Sequence, residues 1–201
     1  MPVAIGISPA LPVKTLKEFV AAAKSNPDKF TWGAEGVGSV GHLTMERLQR
    51  EGGFNILIVH YRGTSPALVD LLAGRVSAMV TPVPNLIEQF RGGKVLPVAV
   101  ATKARLTTLP DLPTLEEQGF PNFEISSWYG LWGPANMPKE VVATLNGAIA
   151  EAMKTSRVTE RVAAQGLIPV GSSSADFAAF QNAEIAKFSQ MIKDANIKIG
   201  N

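Results

Sequence analysis

Residues 31–48, TWGAEGVGSVGHLTMERL, place four glycines, Gly33, Gly36, Gly38 and Gly41, between a short apolar run and an amphipathic one. Glycine lets a backbone approach a bound group closely and adopt positive φ at little steric cost. Ser39 is placed to cap a helix, and Leu43, Met45 and Leu48 give that helix an apolar stripe. The first N–H groups of a helix are unpaired and sit at the positive end of its dipole, so a turn of this kind favours an anion. The dipole contributes about 0.3–1 kcal/mol. Two or three hydrogen bonds to a charged acceptor, at about 1.5–3 kcal/mol each, contribute more.

The six residues GVGSVG (36–41) also fit the G-x-G-x-x-G dinucleotide pattern. That pattern needs an acidic residue at the end of the next strand, about 20 residues on, for the ribose hydroxyl. Here the next strand, ILIVH, runs into His60, Tyr61 and Arg62, and no P-loop lysine is present. A small anion or a purely structural turn fits better than a nucleotide. His42, one turn into the helix, either bonds a neighbouring backbone group or touches ligand, and His60 at a strand end reads as structural. Arg62 has the chemistry to grip a carboxylate bidentately, the alternative being a solvated arginine. Trp128 and Tyr129 read as core or hinge packing ahead of ligand stacking. Asp70, Arg75 and Lys94 read as solvated helix faces and ends. With two histidines, no cysteine and no G-x-S-x-G elbow, no metal ligand and no catalytic residue is assigned.

The formal net charge is +2 and 18% of residues are charged, with no basic block longer than two residues. Nucleic-acid binding needs a clustered basic face, so nucleic acid is not expected as a partner. No run of 18 apolar residues is available to span a membrane. The opening MPVAIGISPALP lacks the basic start and long apolar run of a signal peptide, so the chain as written is not expected to be exported.

The elements that must position these residues alternate. A short buried strand is predicted at Val3–Ile7, then a helix through Leu16, Phe19, Val20 and Ala23 ended by Asn26-Pro27. A strand over 30–34 enters the glycine turn, and the following helix stops near Gly52-Gly53. Ile56–Val59 is a continuous apolar strand of the buried parallel kind. A helix runs from Ser65 to Ala73 with Pro66 at its first position, then a strand at Val76–Val80, a helix after Pro84, and a strand at Val95–Thr102. This predicts a doubly wound α/β lobe, with ligands at the carboxyl ends of strands. The turns Gly33–Gly41, Tyr61–Ser65 and Thr81–Asn85 should share one sheet edge. Beyond Lys103 come a proline-rich connector, an aromatic segment with Trp128, Tyr129 and Trp132, and helices at 138–154, 156–165 and 175–195, with a short strand at Leu167–Val170.

Three segments in this order, TWGAEGVGSVGHL, HYRGTSPALVDLLAGRV and LPDLPTLEEQGFPNFEISSWYGLWGPANMPKEVVATLN, resemble the substrate-binding proteins of tripartite tricarboxylate transporters, the Bug family. The closing DFAAFQNAEIAKFSQMIKDANIKI is similar as well. The resemblance implies a type II periplasmic binding protein fold, α/β, with one complete doubly wound lobe at 4–122. Residues 123–201 would then supply a crossing strand and helices belonging to the first lobe. It further implies a small carboxylate closed between lobes, membrane transporter subunits as docking partners, a periplasmic location, no catalysis and no cofactor. The positions matching the family's ligand grip are Gly36, Val37, Gly38, Ser39 and His42, then Tyr61, Arg62 and Gly63, then Thr81, and on the crossing strand Ser127, Trp128 and Tyr129.

Departures from the family pattern are specific. Family members are longer, and this chain starts near the beginning of their second lobe, leaving a first-lobe ligand loop outside it. Thr81-Pro82 stands where the family has an Asp-Asn pair. Glu35 borders the turn, where a carboxylate repels an anionic ligand; it either points outward or meets a cationic group on an amphoteric ligand. An incomplete lobe exposes apolar surface and invites self-association. The rival readings are a cytoplasmic small-molecule sensor domain of the same fold, an enzyme holding a nucleotide at the glycine turn, and a truncated form with impaired binding.

Overall fold

The computed structural model describes residues 1–197. Five strands, β1 (Val3–Ile7), β2 (Thr31–Ala34), β3 (Leu57–His60), β4 (Ala78–Pro82) and β5 (Leu96–Val100), make one sheet ordered β3-β2-β4-β1-β5. β2 runs parallel to β3 and β4, whereas β1 lies antiparallel between β4 and β5. The carboxyl ends of β2, β3 and β4 therefore share one edge. The register Val3↔Pro82 and Ala4↔Val100 brings the start of β1 and the end of β5 to that same edge.

Side chains alternate across the strands, and both faces are covered. On one face Ile5, Trp32 and Val80 pack with Leu16 and Phe19 of α1 (Leu16–Ser25) and with Met45 and Leu48 of α2 (Val40–Gly52). On the other, Ala4 and Met79 pack with Leu71 of α3 (Thr64–Leu72) and with Ile87 and Phe90 of α4 (Ile87–Arg91). This is the doubly wound arrangement expected. The caps are local: the Thr15 hydroxyl accepts from the Glu18 N–H, and Gly53 closes α2 in the left-handed conformation at φ 65°.

Some sequence expectations need correction. The strand expected at Ile56–Val59 is β3, one residue later, and it is an edge strand whose Leu57 is 67% exposed, because no strand pairs beyond it among the described residues. Pro66 is the third helical residue rather than the first, since Gly63, at φ 108°, ends the turn one residue earlier than expected. Pro66 is still tolerated there, because a first-turn N–H has no intrahelical acceptor. β4 begins at Ala78 instead of Val76, because the Arg75 and Val76 N–H groups turn back to the Asp70 carbonyl. Leu167–Val170 forms no strand: no ladder reaches it among the described residues, and Ile168 and Val170 are exposed.

The expected crossing strand is also shorter than a strand. It reduces to one antiparallel bridge, Pro2↔Ser126, plus a hydrogen bond from the Ser127 N–H to the Met1 carbonyl at 2.9 Å. After it come α5 (Lys139–Ala152), α6 (Ser156–Ala164) and α7 (Ser174–Asp194). No residue of α5 or α6 is buried, so these helices bring no core of their own. The end of α7 returns to the lobe, where Met191 packs on the first core and Arg50 lies 3.7 Å from Asp194.

Candidate functional site

The glycine turn is held from within. Ser39 caps α2, its hydroxyl accepting from the His42 N–H at 3.2 Å. The Gly38 N–H in turn donates to His42 Nδ1 at 3.0 Å, with Gly38 in the positive-φ region at 74°. Because Nδ1 accepts, the ring proton sits on Nε2, which faces Glu46 at 3.4 Å. Burial, and the His60 ring packed edge-on at 4.6 Å, push His42 below its ordinary pKa, with Glu46 pulling it partly back. A neutral imidazole is what this bond requires. His42 is buried and committed to the backbone, one of the two alternatives its spacing left open.

Those bonds leave other donors free. Among the described residues the N–H groups of Gly36, Val37, Val40 and Gly41 have no acceptor. They cluster at the tip of the turn and the first turn of a 13-residue helix, where the dipole adds to them. Val37 is half exposed at this tip. Gly41 is essential to the geometry for a different reason: a Cβ there would run into the Val80 carbonyl, so α2 starts in direct contact with β4.

The second turn docks on the first. The Tyr61 N–H donates to the Ala34 carbonyl at 2.8 Å and the Gly63 N–H to the Glu35 carbonyl at 3.0 Å. The Tyr61 hydroxyl is committed elsewhere, donating to Asp70 Oδ2 at 2.8 Å, and Asp70 also receives Arg75 at 2.8 Å. Burial and the neighbouring Asp70 carboxylate raise the phenol to about 12. Asp70 and Arg75 are thus an ordered pair rather than simply a solvated face. Arg62 is exposed and makes no ion pair among the described residues.

Thr81, next to last in β4, is fully buried, and its Oγ1 accepts from Asn85 Nδ2 at 2.8 Å. Glu35 does not point outward. Its Oε1 is shielded from solvent without a hydrogen-bond partner, and the Thr81 and Thr64 hydroxyls stand beside the carboxyl. Burial raises its pKa, and those hydroxyls hold it partly back. Thr64 and Asn85 had no signal of their own in the sequence; the fold alone brings them to this edge.

Ser127 lies beside Met1, the Ser127 carbonyl accepting from the terminal amine at 2.5 Å. Trp128 packs edge-on against Phe177 and Phe180 of α7, with ring centroids 5.7 and 5.3 Å away. That is packing, as its spacing suggested. Tyr129 is not core: it is 85% exposed. The three predicted strand–helix turns share one edge, and the chain start carries Ser127 to the same side.

A family model described as the tripartite tricarboxylate transporter family receptor matches residues 1–197. The UPF0065 protein in the TAR-I ttuE-ttuC′ intergenic region of Agrobacterium vitis is 36% identical over 185 residues, 90% of this chain and 54% of that protein. Rpa4515 of R. palustris, solved with adipate, matches with TM-score 0.92 and 32% identity, over 98% of this chain and 66% of that one. The periplasmic binding protein BugD matches with TM-score 0.89 and 31% identity, over 98% and 67%. The chain therefore spans about half the length of the first relative and about two thirds of these structures. Its fold is that of periplasmic binding proteins, and the chain belongs to the tripartite tricarboxylate transporter receptor family.

Proposed function

We propose that this chain carries the anion-gripping lobe of an extracytoplasmic solute-binding receptor that delivers a small organic carboxylate to membrane transporter subunits. The observation that carries the reading is the set of unpaired N–H groups at Gly36, Val37, Val40 and Gly41, preorganised by Ser39 and His42. Each donor fixed in advance avoids an ordering cost on binding. Arg62, exposed on the adjoining turn, adds a cation of matching geometry. The adipate held by Rpa4515 supports a carboxylate, and BugD's description as a periplasmic binding protein supports a periplasmic location. No catalytic role is assigned to any residue.

In this reading residues 4–122 are one complete lobe and 123–201 belong to the other, the last four of these lying outside the described residues. The ligand closes between lobes, so binding shifts an open–closed equilibrium. Exposed Leu145, Ile185 and Phe180 on α5 and α7 favour a companion surface, either the rest of a lobe or a second copy. Size-exclusion chromatography of the 201-residue chain reads the second copy directly as a dimer.

The test is thermal shift against mono-, di- and tricarboxylates. A ligand at 100 times its Kd adds about 2.7 kcal/mol of stability. No stabilisation by any member of the panel would remove the reading.

A further inference from the structure

The sheet ends in an edge that the ligand site does not use. β3 pairs with β2 on one side, and no strand lies on its other side among the described residues. The Tyr61 N–H reaches inward to the Ala34 carbonyl at 2.8 Å. Backbone groups of successive strand residues point to alternate sides, so Leu57 and Val59 also face β2. The N–H and C=O groups of Ile58 and His60 then face outward, open to another chain. The Ile56 N–H lies on that outward side and is already taken, donating to Gln49 Oε1 at 2.6 Å.

Natural edge strands are blunted by lysine, proline, a bulge or an inward charge. The run Ile56-Leu57-Ile58-Val59-His60 holds no lysine, arginine, carboxylate or proline. Its register with β2 is unbroken from Leu57 to His60, and Leu57 stands 67% exposed.

A cavity of about 490 Å³ adjoins the start of this edge, between β3, the short turn Pro27–Lys29 and the later residues of α2. Phe30, Ile56, Leu57 and Ile58 give it apolar walls. Its charged lining is two carboxylates, Asp28 and Glu46, with no lysine or arginine. Asp28 is exposed and makes no ion pair among the described residues. Glu46 faces only the neutral His42. An apolar groove with unbalanced negative charge, beside an open backbone ladder, complements an extended segment that carries apolar and basic side chains.

We propose that the β3 edge is a docking surface for a partner protein, which adds an extended segment to the sheet as a further strand. The main chain of the segment bonds Ile58 and His60. Its apolar side chains enter the cavity against Leu57 and Ile58, and a lysine or arginine meets Asp28 and Glu46. A second copy of this chain fits less well. Two identical concave edges leave both cavities unfilled, and a four-residue strand is too short to bury the ~1,200–2,000 Å² of a stable interface. The cavity lies at the amino ends of β2 and β3, opposite the glycine turn, so a docked partner leaves the ligand edge open. This surface goes beyond the receptor reading and stands whether or not the turn takes a carboxylate.

The experiment titrates the isotope-labelled 201-residue chain with three capped octapeptides and follows its amide resonances. One peptide alternates valine with lysine, the second alternates valine with glutamate, and the third is the lysine peptide N-methylated throughout. The lysine peptide should shift the amides of Ile58 and His60 and bind at least tenfold more tightly than the glutamate peptide. N-methylation should weaken it at least tenfold, because the main-chain donors are gone. Leu57→Lys, which sets a cation at an exposed edge position, should weaken the lysine peptide at least tenfold, and Asp28→Asn should weaken it several-fold. Neither change touches the glycine turn, so thermal shift with carboxylates reads the receptor function separately. No binding by the lysine peptide at millimolar concentration would overturn the proposal, as would equal binding of the lysine and glutamate peptides. Full binding after N-methylation, or resonances of Ile58 and His60 that do not move, would overturn it too. A wild-type chain that elutes as a dimer and a Leu57→Lys chain that elutes as a monomer would give the edge to a second copy instead. The wild-type peptide comparison needs no variant, so the folding of Leu57→Lys does not decide it.

Discussion

The Gly38 backbone N–H donates to Nδ1 of His42, 3.0 Å away and four residues further along the chain. The helix that the turn begins thus sends a side chain back to hold the turn open. The ring must be neutral to accept that bond, and burial favours the neutral form.

The first prediction concerns pH. His42 has a folded pKa depressed below about 6.5, the unfolded value. Above pH 6.5 both states are neutral and the contribution to stability is fully present. As pH falls below 6.5 the unfolded chain binds a proton that the folded chain resists, so stability declines until the folded pKa is passed. Melting temperature should fall between pH 7 and pH 5 in the wild type and more gently in His42→Asn, whose amide oxygen accepts from Gly38 at any pH. His42→Ala leaves the Gly38 donor unpaired and should cost about 1–3 kcal/mol at pH 7.5. A melting profile identical in wild type and His42→Asn would refute this.

Two helical glycines make opposite predictions. Gly41→Ala drives a methyl group into the Val80 carbonyl and must push α2 away from β4. Overpacking of this kind costs about 1–3 kcal/mol, and it displaces the donors at the turn as well. Gly147 lies inside α5 with open space where a Cβ would go. Gly147→Ala should therefore stabilise the chain by about 0.5–1 kcal/mol through helix propensity. Denaturant melts of both variants check the pair, and equal effects would contradict the packing argument.

Much of this was legible because its causes are local. Ser39 caps α2 through bonds within four residues, Asn26-Pro27 stops α1, and Gly53 stops α2, so residue type alone marks each boundary. The shared edge of three turns follows from strand–helix alternation. Other features depend on which strand neighbours which. The apolar run at 56–59 looks buried, yet the strand order leaves Leu57 at an open edge. Antiparallel β1 is invisible locally, and it is what carries Ser127 to the site edge. Glu35 shows the same limit, since Thr64 and Thr81, whose hydroxyls stand beside it, lie 29 and 46 positions away in sequence.

Arg62 should separate binding from folding. It is exposed and makes no ion pair among the described residues, so Arg62→Ala should change stability by less than about 0.5 kcal/mol. Its loss should nonetheless weaken carboxylate binding by about 10- to 100-fold, the range of one or two charge-assisted hydrogen bonds. Arg62→Lys retains the charge without the planar fork and should fall between the two. Titration of each variant with its tightest carboxylate measures this. Wild-type affinity in Arg62→Ala would place the arginine outside the grip.

Tyr61 tests the anchoring of the second turn at alkaline pH. Its hydroxyl donates to Asp70, and burial together with that carboxylate raises the phenol to about 12. The unfolded phenol ionises near 10, so the folded chain holds this proton more tightly. The contribution to stability is fully present below pH 10 and is lost as pH rises from 10 towards 12. At pH 8, Tyr61→Phe should melt below the wild type because the Asp70 bond is gone. The gap should narrow steadily above pH 10, where only the wild type has a phenol to ionise. Because Tyr61 stands on the turn whose Gly63 N–H bonds the Glu35 carbonyl, the variant should also loosen ligand binding at pH 8 without altering which ligand is preferred. A melting gap that stays constant from pH 8 to pH 11.5 would show that the Tyr61–Asp70 bond does not anchor the turn.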